Sequence, residues 1–240
     1  MKIALIGYGK MGQMIEHIAT ERGHEIVLKV SIENTEDFSE VNLRKADVAI
    51  EFTSPESAYH NIKQSILWGC PIVSGSTGWL DKKVEIDQLV QSRNGSFIYA
   101  SNFSLGVNLF FALNEKLAEI MAPYGDSYDV SMEEIHHTAK LDAPSGTAIT
   151  LAEGVLQHLT SKERWVSDKT EYTPEELNIH SKRIDPYPGT HSVKYSSDVD
   201  TIEIIHTAKT RHGFALGAVL AAEYISIRKG IFTMKDVLKL

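Results

Sequence analysis

The chain has 240 residues, a formal net charge of −8, 42% hydrophobic and 23% charged residues, and one cysteine, Cys70. That length suits one large or two modest domains with a full apolar core, and the acidic balance argues against a nucleic-acid partner. No apolar run approaches the roughly 20 residues of a membrane span, Met1-Lys2-Ile3 leads into a strand rather than a signal peptide, and a lone cysteine permits no internal disulfide, which fits a reducing cytoplasm.

Residues 2–6 form a short apolar strand, followed at once by Gly7-Tyr8-Gly9-Lys10-Met11-Gly12 and a helical run over 13–22. Strand, GxGxxG and helix is the context in which glycines hold a dinucleotide. Gly7 makes the tight turn, Gly9 lets the backbone approach a pyrophosphate, and Gly12 lets the helix pack on the strand. A second strand, 25–30, ends near Glu33, twenty-one residues past Gly12, where an acid bonds the adenosine ribose hydroxyls. Strands at 46–50, 71–74 and 96–99 alternate with helices at 57–67 and 81–91. In an open parallel sheet ligands bind at the carboxyl ends of strands. There lie Phe52-Thr53, the loop Gly75-Ser76-Thr77-Gly78, and Ser101-Asn102-Phe103, which are expected to line the nicotinamide end of the groove.

After residue 105 the pattern changes. A helix over 107–121 leads into a strand over 129–136, a loop, and a helix over 146–156. A polar Glu/Lys-rich stretch at 161–178 reads as a solvated loop and helix. Strand-like runs at 179–184, 191–196 and 201–208 follow, then an apolar helix over 214–225 expected to pack on the first domain. The expected fold class is therefore α/β, with a doubly wound Rossmann-type parallel sheet and a second α+β domain on a mixed or antiparallel sheet. The expected division is a dinucleotide-binding domain of 1–105 plus 211–240, and a substrate-binding and oligomerisation domain of 106–210.

The chemistry concentrates in Glu133-Glu134-Ile-His136-His137-Thr-Ala-Lys140-Leu-Asp142-Ala-Pro144-Ser145-Gly146-Thr147-Ala148. Pro144 stops any earlier helix, and Ser145 is a good N-cap for the next. The first amides of that helix, the Ser145 and Thr147 hydroxyls and Lys140 together suit a carboxylate or phosphate. An imidazole that titrates near neutral pH suits proton transfer. His136 and His137 are adjacent on a strand and point to opposite faces, and no His-x-x-x-His spacing occurs, so no metal site is expected.

These residues resemble the 4-hydroxy-tetrahydrodipicolinate reductase (dihydrodipicolinate reductase) family of bacterial lysine and diaminopimelate synthesis. The segment from Glu134 to Thr147 looks like its signature, and Phe52-Thr53-Ser54-Pro55, Gly75-Ser-Thr-Gly78, Ser101-Asn102-Phe103-Ser104 and Gly189-Thr-His191 are similar to other family blocks. The resemblance implies a Rossmann domain, a mixed-sheet domain that tetramerises, and NADH or NADPH as hydride donor to a cyclic dicarboxylate that loses water. It implies His136 as general acid/base and Lys140 as proton donor, with His137, Lys140, Ser145, Gly146 and Thr147 holding the carboxylates. The chain departs from the family in a short span between Glu33 and Asp47, with Lys10 where the glycine loop often has Arg and Asn34 where a basic residue often follows the ribose acid. Glu33 repels a 2′-phosphate and Lys10 attracts one, which favours NADH or dual use.

Two other classes fit parts of the pattern. A different NAD(P) dehydrogenase acting on a semialdehyde or amino acid shares the N-terminal signature, but Cys70 precedes a strand rather than sitting in a catalytic loop. A non-catalytic dinucleotide sensor has no use for the His136-His137…Lys140 cluster.

Overall fold

The structure is a computed structural model of the whole chain and describes every residue except Tyr187 and Arg211. In chain order the elements are β1 (Lys2–Ile6), α1 (Lys10–Glu21), β2 (Glu25–Val30), α2 (Glu40–Leu43), β3 (Val48–Glu51), α3 (Pro55–Leu67), β4 (Ile72–Ser74), α4 (Lys83–Ser92) and β5 (Ser96–Tyr99). Then come α5 (Leu105–Met121), β6 (Asp129–His136), α6 (Gly146–Leu156), β7 (Arg164–Ser167), β8 (Glu176–Arg183), β9 (Thr190–Ser196) and β10 (Thr201–Thr207). The chain closes with α7 (His212–Ile225), β11 (Gly230–Phe232) and α8 (Met234–Leu238). It divides into two compact units, Met1–Leu105 with His212–Leu240, and Gly106–Arg211. The expected boundary residue Arg211 lies outside the described residues.

The first unit carries a six-stranded sheet in the order β11-β5-β4-β3-β1-β2, and every pairing in it is parallel. Its strands are short apolar runs because helices cover both faces. Ile3, Leu5, Val48 and Ile50 face one core with α1 and α7, while Ala4, Ile6 and Ala49 face another with α3 and α4. The alternation along β1 follows the period of two that a strand imposes. Between β2 and β3 the crossover shrinks to a 3-10 turn at Thr35–Asp37 and the four-residue α2.

The second unit carries a five-stranded sheet in the order β10-β9-β6-β8-β7. β6 pairs parallel with β8 and antiparallel with β9, so the sheet is mixed. Helices α5 and α6 bury Phe110, Ala118, Leu151 and Val155 against Val130, Met132, Leu177, Val193 and Tyr195.

One expectation is corrected, and one strand was not anticipated. The polar stretch 161–178 is not a loop and helix, since it holds β7 and the start of β8, with Leu177 fully buried. Its few apolar residues are spread too thinly to reveal a local period, and pairing along β8 is what organises them. The C-terminal β11 was also unexpected. Its three residues Gly-Ile-Phe carry almost no pattern, and β5 supplies the hydrogen-bonding edge they join.

Candidate active site

β6 sets the geometry of the second unit's site. Its burial alternates perfectly, with Val130, Met132, Glu134 and His136 inward. Two apolar residues anchor the strand in the core, and the same face then continues as an acid and an imidazole. Glu134 is fully buried. A buried carboxylate is tolerated only when its oxygens are well satisfied, and here several elements supply donors. The Ser145 backbone amide donates to both Glu134 oxygens at 3.1 Å. Arg183, at the end of β8, donates from Nη2 at 3.2 Å. His136 Nδ1 and His191 Nε2 lie 3.4 and 3.6 Å from Glu134 Oε2.

This hub ties the loop after β6 to the sheet. Arg183 also donates to the carbonyls of Asp142 at 2.6 Å and Lys140 at 3.3 Å. Lys140 Nζ in turn donates to the Asp142 carboxylate at 2.8 and 2.9 Å. Thr138 donates from its hydroxyl to Asp185 at 2.6 Å, holding the loop's other end. Ser145 caps α6, its hydroxyl accepting from the Ala148 amide at 3.2 Å and lying 3.1 Å from His191 Nε2. Ser145 is only 3% exposed, so it shapes the site from behind, while Gly146 is exposed and Thr147 half-buried on the first turn.

The His136 and His191 rings meet edge to face, 5.0 Å between centroids. Gly189 makes room for them, because a Cβ there would sit 3.1 Å from His136 Nε2. Burial pushes the His136 pKa down, helped by His191, Lys140 and Arg183 and opposed by Glu134, to about 4. Burial pushes Glu134 up, but hydrogen bonds from His191 and Ser145 and the charge of His136 outweigh it, leaving Glu134 far below the usual carboxylate range. At neutral pH the site thus holds a neutral imidazole beside a carboxylate. Ligand-type atoms of Glu134, His136 and His191 lie within 4.8 Å of one another, a spacing a metal could use. The Arg183 guanidinium already answers the carboxylate's charge, which works against a second cation there.

His136, Lys140, Ser145, Gly146 and Thr147 therefore belong to one strand–loop–helix. His137 follows β6 directly, and its carbonyl accepts from the Lys140 amide at 3.1 Å. Glu134, Arg183 and His191 were given no role by sequence reasoning. The signal for Glu134 was available, since i and i+2 on a strand share a face. Arg183 and His191 come from other strands; His191 lay in the Gly189-Thr-His191 block that resembles the family but received no role, and Arg183 left no local trace.

In the first unit, Gly7 has φ +98° and a Cβ there would meet the Phe52 carbonyl oxygen at 1.9 Å. A Cβ at Gly12 would meet the Gly7 carbonyl oxygen at 2.4 Å. Gly9 is different, since nothing lies within 4 Å of its Cβ position. It is the N-cap of α1 with no side-chain cap and no acid in the first turn, an open cradle of amides that fits a pyrophosphate. Lys10 is exposed and Met11 half-buried beside it. Glu33 is exposed on the turn after β2. Asn34 is committed to that turn, accepting from the Ser31 amide at 2.7 Å and donating to the Lys29 carbonyl at 2.9 Å and Asp37 at 2.7 Å. Phe52, Thr53, Gly75, Ser76 and Thr77 follow β3 and β4, and Ser101 and Asn102 follow β5. Phe103 is 2% exposed and sits in the core, its ring 5.9 Å from that of Phe52.

Comparison with known proteins covers nearly the whole chain, with a family boundary that leaves α7, β11 and α8 in the C-terminal match although they pack in the first unit. Residues 1–103 match the model for the dihydrodipicolinate reductase N-terminus and 106–238 that for its C-terminus. The chain is 52% identical over 240 residues to the 4-hydroxy-tetrahydrodipicolinate reductase of Christiangramia forsetii, covering 99% of this chain and 98% of that one. It is 34% identical over 251 residues to that of Staphylococcus aureus, covering 99% and 100%. Among solved structures, a dipicolinate-bound dihydrodipicolinate reductase from Paenisporosarcina sp. TG-14 superposes with a TM-score of 0.77 at 22% identity, covering 97% of each chain. The chain belongs to the dihydrodipicolinate reductase family, oxidoreductases that reduce 4-hydroxy-tetrahydrodipicolinate with a pyridine nucleotide in diaminopimelate and lysine biosynthesis.

Proposed function

We propose that the second unit holds the cyclic dicarboxylate on the α6 N-terminus and that Lys140 protonates it. The observation that carries this is the convergence of His136, the Ser145-capped helix and Arg183, which also holds the Lys140 carbonyl, on the buried Glu134 hub. Gly146 and Thr147 offer first-turn amides and a hydroxyl to one carboxylate, and His137 and Lys140 add cationic or polar contacts to the substrate. The bound dinucleotide, NADH or NADPH, supplies the hydride. One hydride and one proton enter the ring, water leaves, and oxidised cofactor results. His136 is neutral at working pH because burial depresses it, so it serves better as acceptor and orienting partner than as acid. The Lys140 ammonium, paired with the exposed Asp142, is the better donor. The dipicolinate bound by the Paenisporosarcina enzyme supports the same ligand class here.

The exposed Glu33 and the committed Asn34 side chain favour NADH or dual use. Homotetramer assembly through the second unit is supported by the edge strand β10, which exposes Ile202 and Ile205. A cytoplasmic setting is supported by the single cysteine, Cys70, which is free and buried and allows no internal disulfide. The test is a coupled assay in which pyruvate and aspartate semialdehyde pass through the upstream synthase while nicotinamide absorbance is followed with each cofactor. Lys140→Ala cutting turnover by about 10²–10⁴-fold while dipicolinate still binds would support the assignment. Full turnover in that variant overturns it.

A further inference from the structure

Glu51, the last residue of β3, is fully buried, and sequence reasoning passed over it in favour of its neighbours Phe52 and Thr53. Its carboxylate is crowded with donors. Oε1 accepts from the Thr53 amide at 2.9 Å, from the Ser76 hydroxyl at 2.6 Å and from the Thr53 hydroxyl. Oε2 accepts from the Ser74 hydroxyl at 2.6 Å. Each of these hydrogen bonds comes from a hydroxyl or a backbone amide, and none from a basic side chain. Burying a carboxylate without a cationic partner is costly, and a buried polar group that no core requires calls for a reason.

The reason lies in what the carboxylate joins. Ser74 ends β4, Ser76 belongs to the loop after β4, and Thr53 belongs to the loop after β3. The Thr53 amide also reaches Ser76 Oγ at 2.7 Å, and Trp79 donates to the Ser76 carbonyl at 2.8 Å. These loops are pressed together: a Cβ at Gly75 would meet the Phe52 ring at 2.1 Å, and one at Gly7 would meet the Phe52 carbonyl. In a doubly wound sheet the crevice at the switch point, here between β1 and β3, takes the ligand. With the pyrophosphate on the β1–α1 loop and the adenosine toward β2, the β3 and β4 loops face the nicotinamide end.

We propose that Glu51 is the positioning residue for the nicotinamide end of the cofactor, clamping the Phe52-Thr53 and Gly75-Ser76-Thr77 loops into one rigid wall. It does so from behind the wall. This rests on the reading of the first unit as a dinucleotide site. The test compares two ligands on the full-length protein by calorimetric titration: NADH, and ADP-ribose, which has the same adenosine and pyrophosphate but no nicotinamide. Glu51→Gln keeps the volume but removes an acceptor that the hydroxyls need, and loosening the wall is expected to weaken NADH about tenfold while ADP-ribose binds as before. Ser74→Ala cuts only the link to β4 and is expected to shift NADH in the same direction, less strongly; it carries the test if Glu51→Gln does not fold. Parallel loss of both ligands assigns Glu51 to the fold and overturns the proposal, as does unchanged NADH affinity. A wild-type protein that binds neither ligand refutes the dinucleotide reading itself, a different outcome from either.

Discussion

The protonation of His136 is the property this fold controls most directly, and it is measurable. Its imidazole is 9% exposed, and burial is the main reason its pKa falls from 6.5 to about 4. An unfolded histidine keeps the ordinary value, so between these two pH values the unfolded chain binds more protons. Stability therefore rises with pH across that window and is lost as pH falls from about 6.5 toward 4. At about 1.4 kcal/mol per pK unit the full displacement is worth about 3 kcal/mol, with little discount because solvent barely reaches the ring. His136→Gln removes the titration while keeping a polar side chain of similar size. In urea unfolding at neutral pH and near pH 4.5, the stability difference between wild type and variant is expected to move by about 2 kcal/mol against the wild type. Histidine ring resonances, assigned with the same variant, should show a midpoint below about 5. Glu134→Gln should lower the midpoint further, because Glu134 is the partner that favours the imidazolium. A bound dicarboxylate should raise it. A wild-type midpoint at or above the ordinary value of 6.5, or an unchanged stability difference, refutes the burial reasoning.

Gly9→Val should leave the melting temperature nearly unchanged, because its Cβ meets nothing within 4 Å, yet abolish NADH binding by filling the pyrophosphate approach; near-native calorimetric affinity would contradict this. Glu33→Arg should shift the ratio of specificity constants toward NADPH, since a carboxylate bonds a 2′-hydroxyl and repels a 2′-phosphate, and an unmoved ratio means another group reads the ribose. Lys140→Ala should cut kcat by about 10²–10⁴-fold, whereas Thr147→Val should raise KM more than it lowers kcat, the sign of lost uniform binding, and should need more dipicolinate for equal inhibition. Equal effects of the two variants on KM and kcat would erase that distinction.

Local pattern alone established much of this protein. The glycine spacing after β1, the alternation of short apolar strands with helices, and the Ser145 cap of α6 are short-range features. Their causes lie within one or two turns of chain, so they are legible in order along the sequence. The residues from Glu134 to Thr147 likewise lie in one strand–loop–helix, which is why His136, Lys140 and Thr147 could be assigned together. Long-range pairing decided the rest. Arg183 reaches Glu134 because β8 lies beside β6, and His191 because β9 lies on its other side, and no period in either strand announces a partner some 50 residues away. β7 and β11 exist because β8 and β5 offer them edges. The roles of the two buried acids depend on burial itself. Glu134 and Glu51 look like ordinary charged residues in the sequence, and only the packed sheets remove them from water and oblige their neighbours to become hydrogen-bond donors.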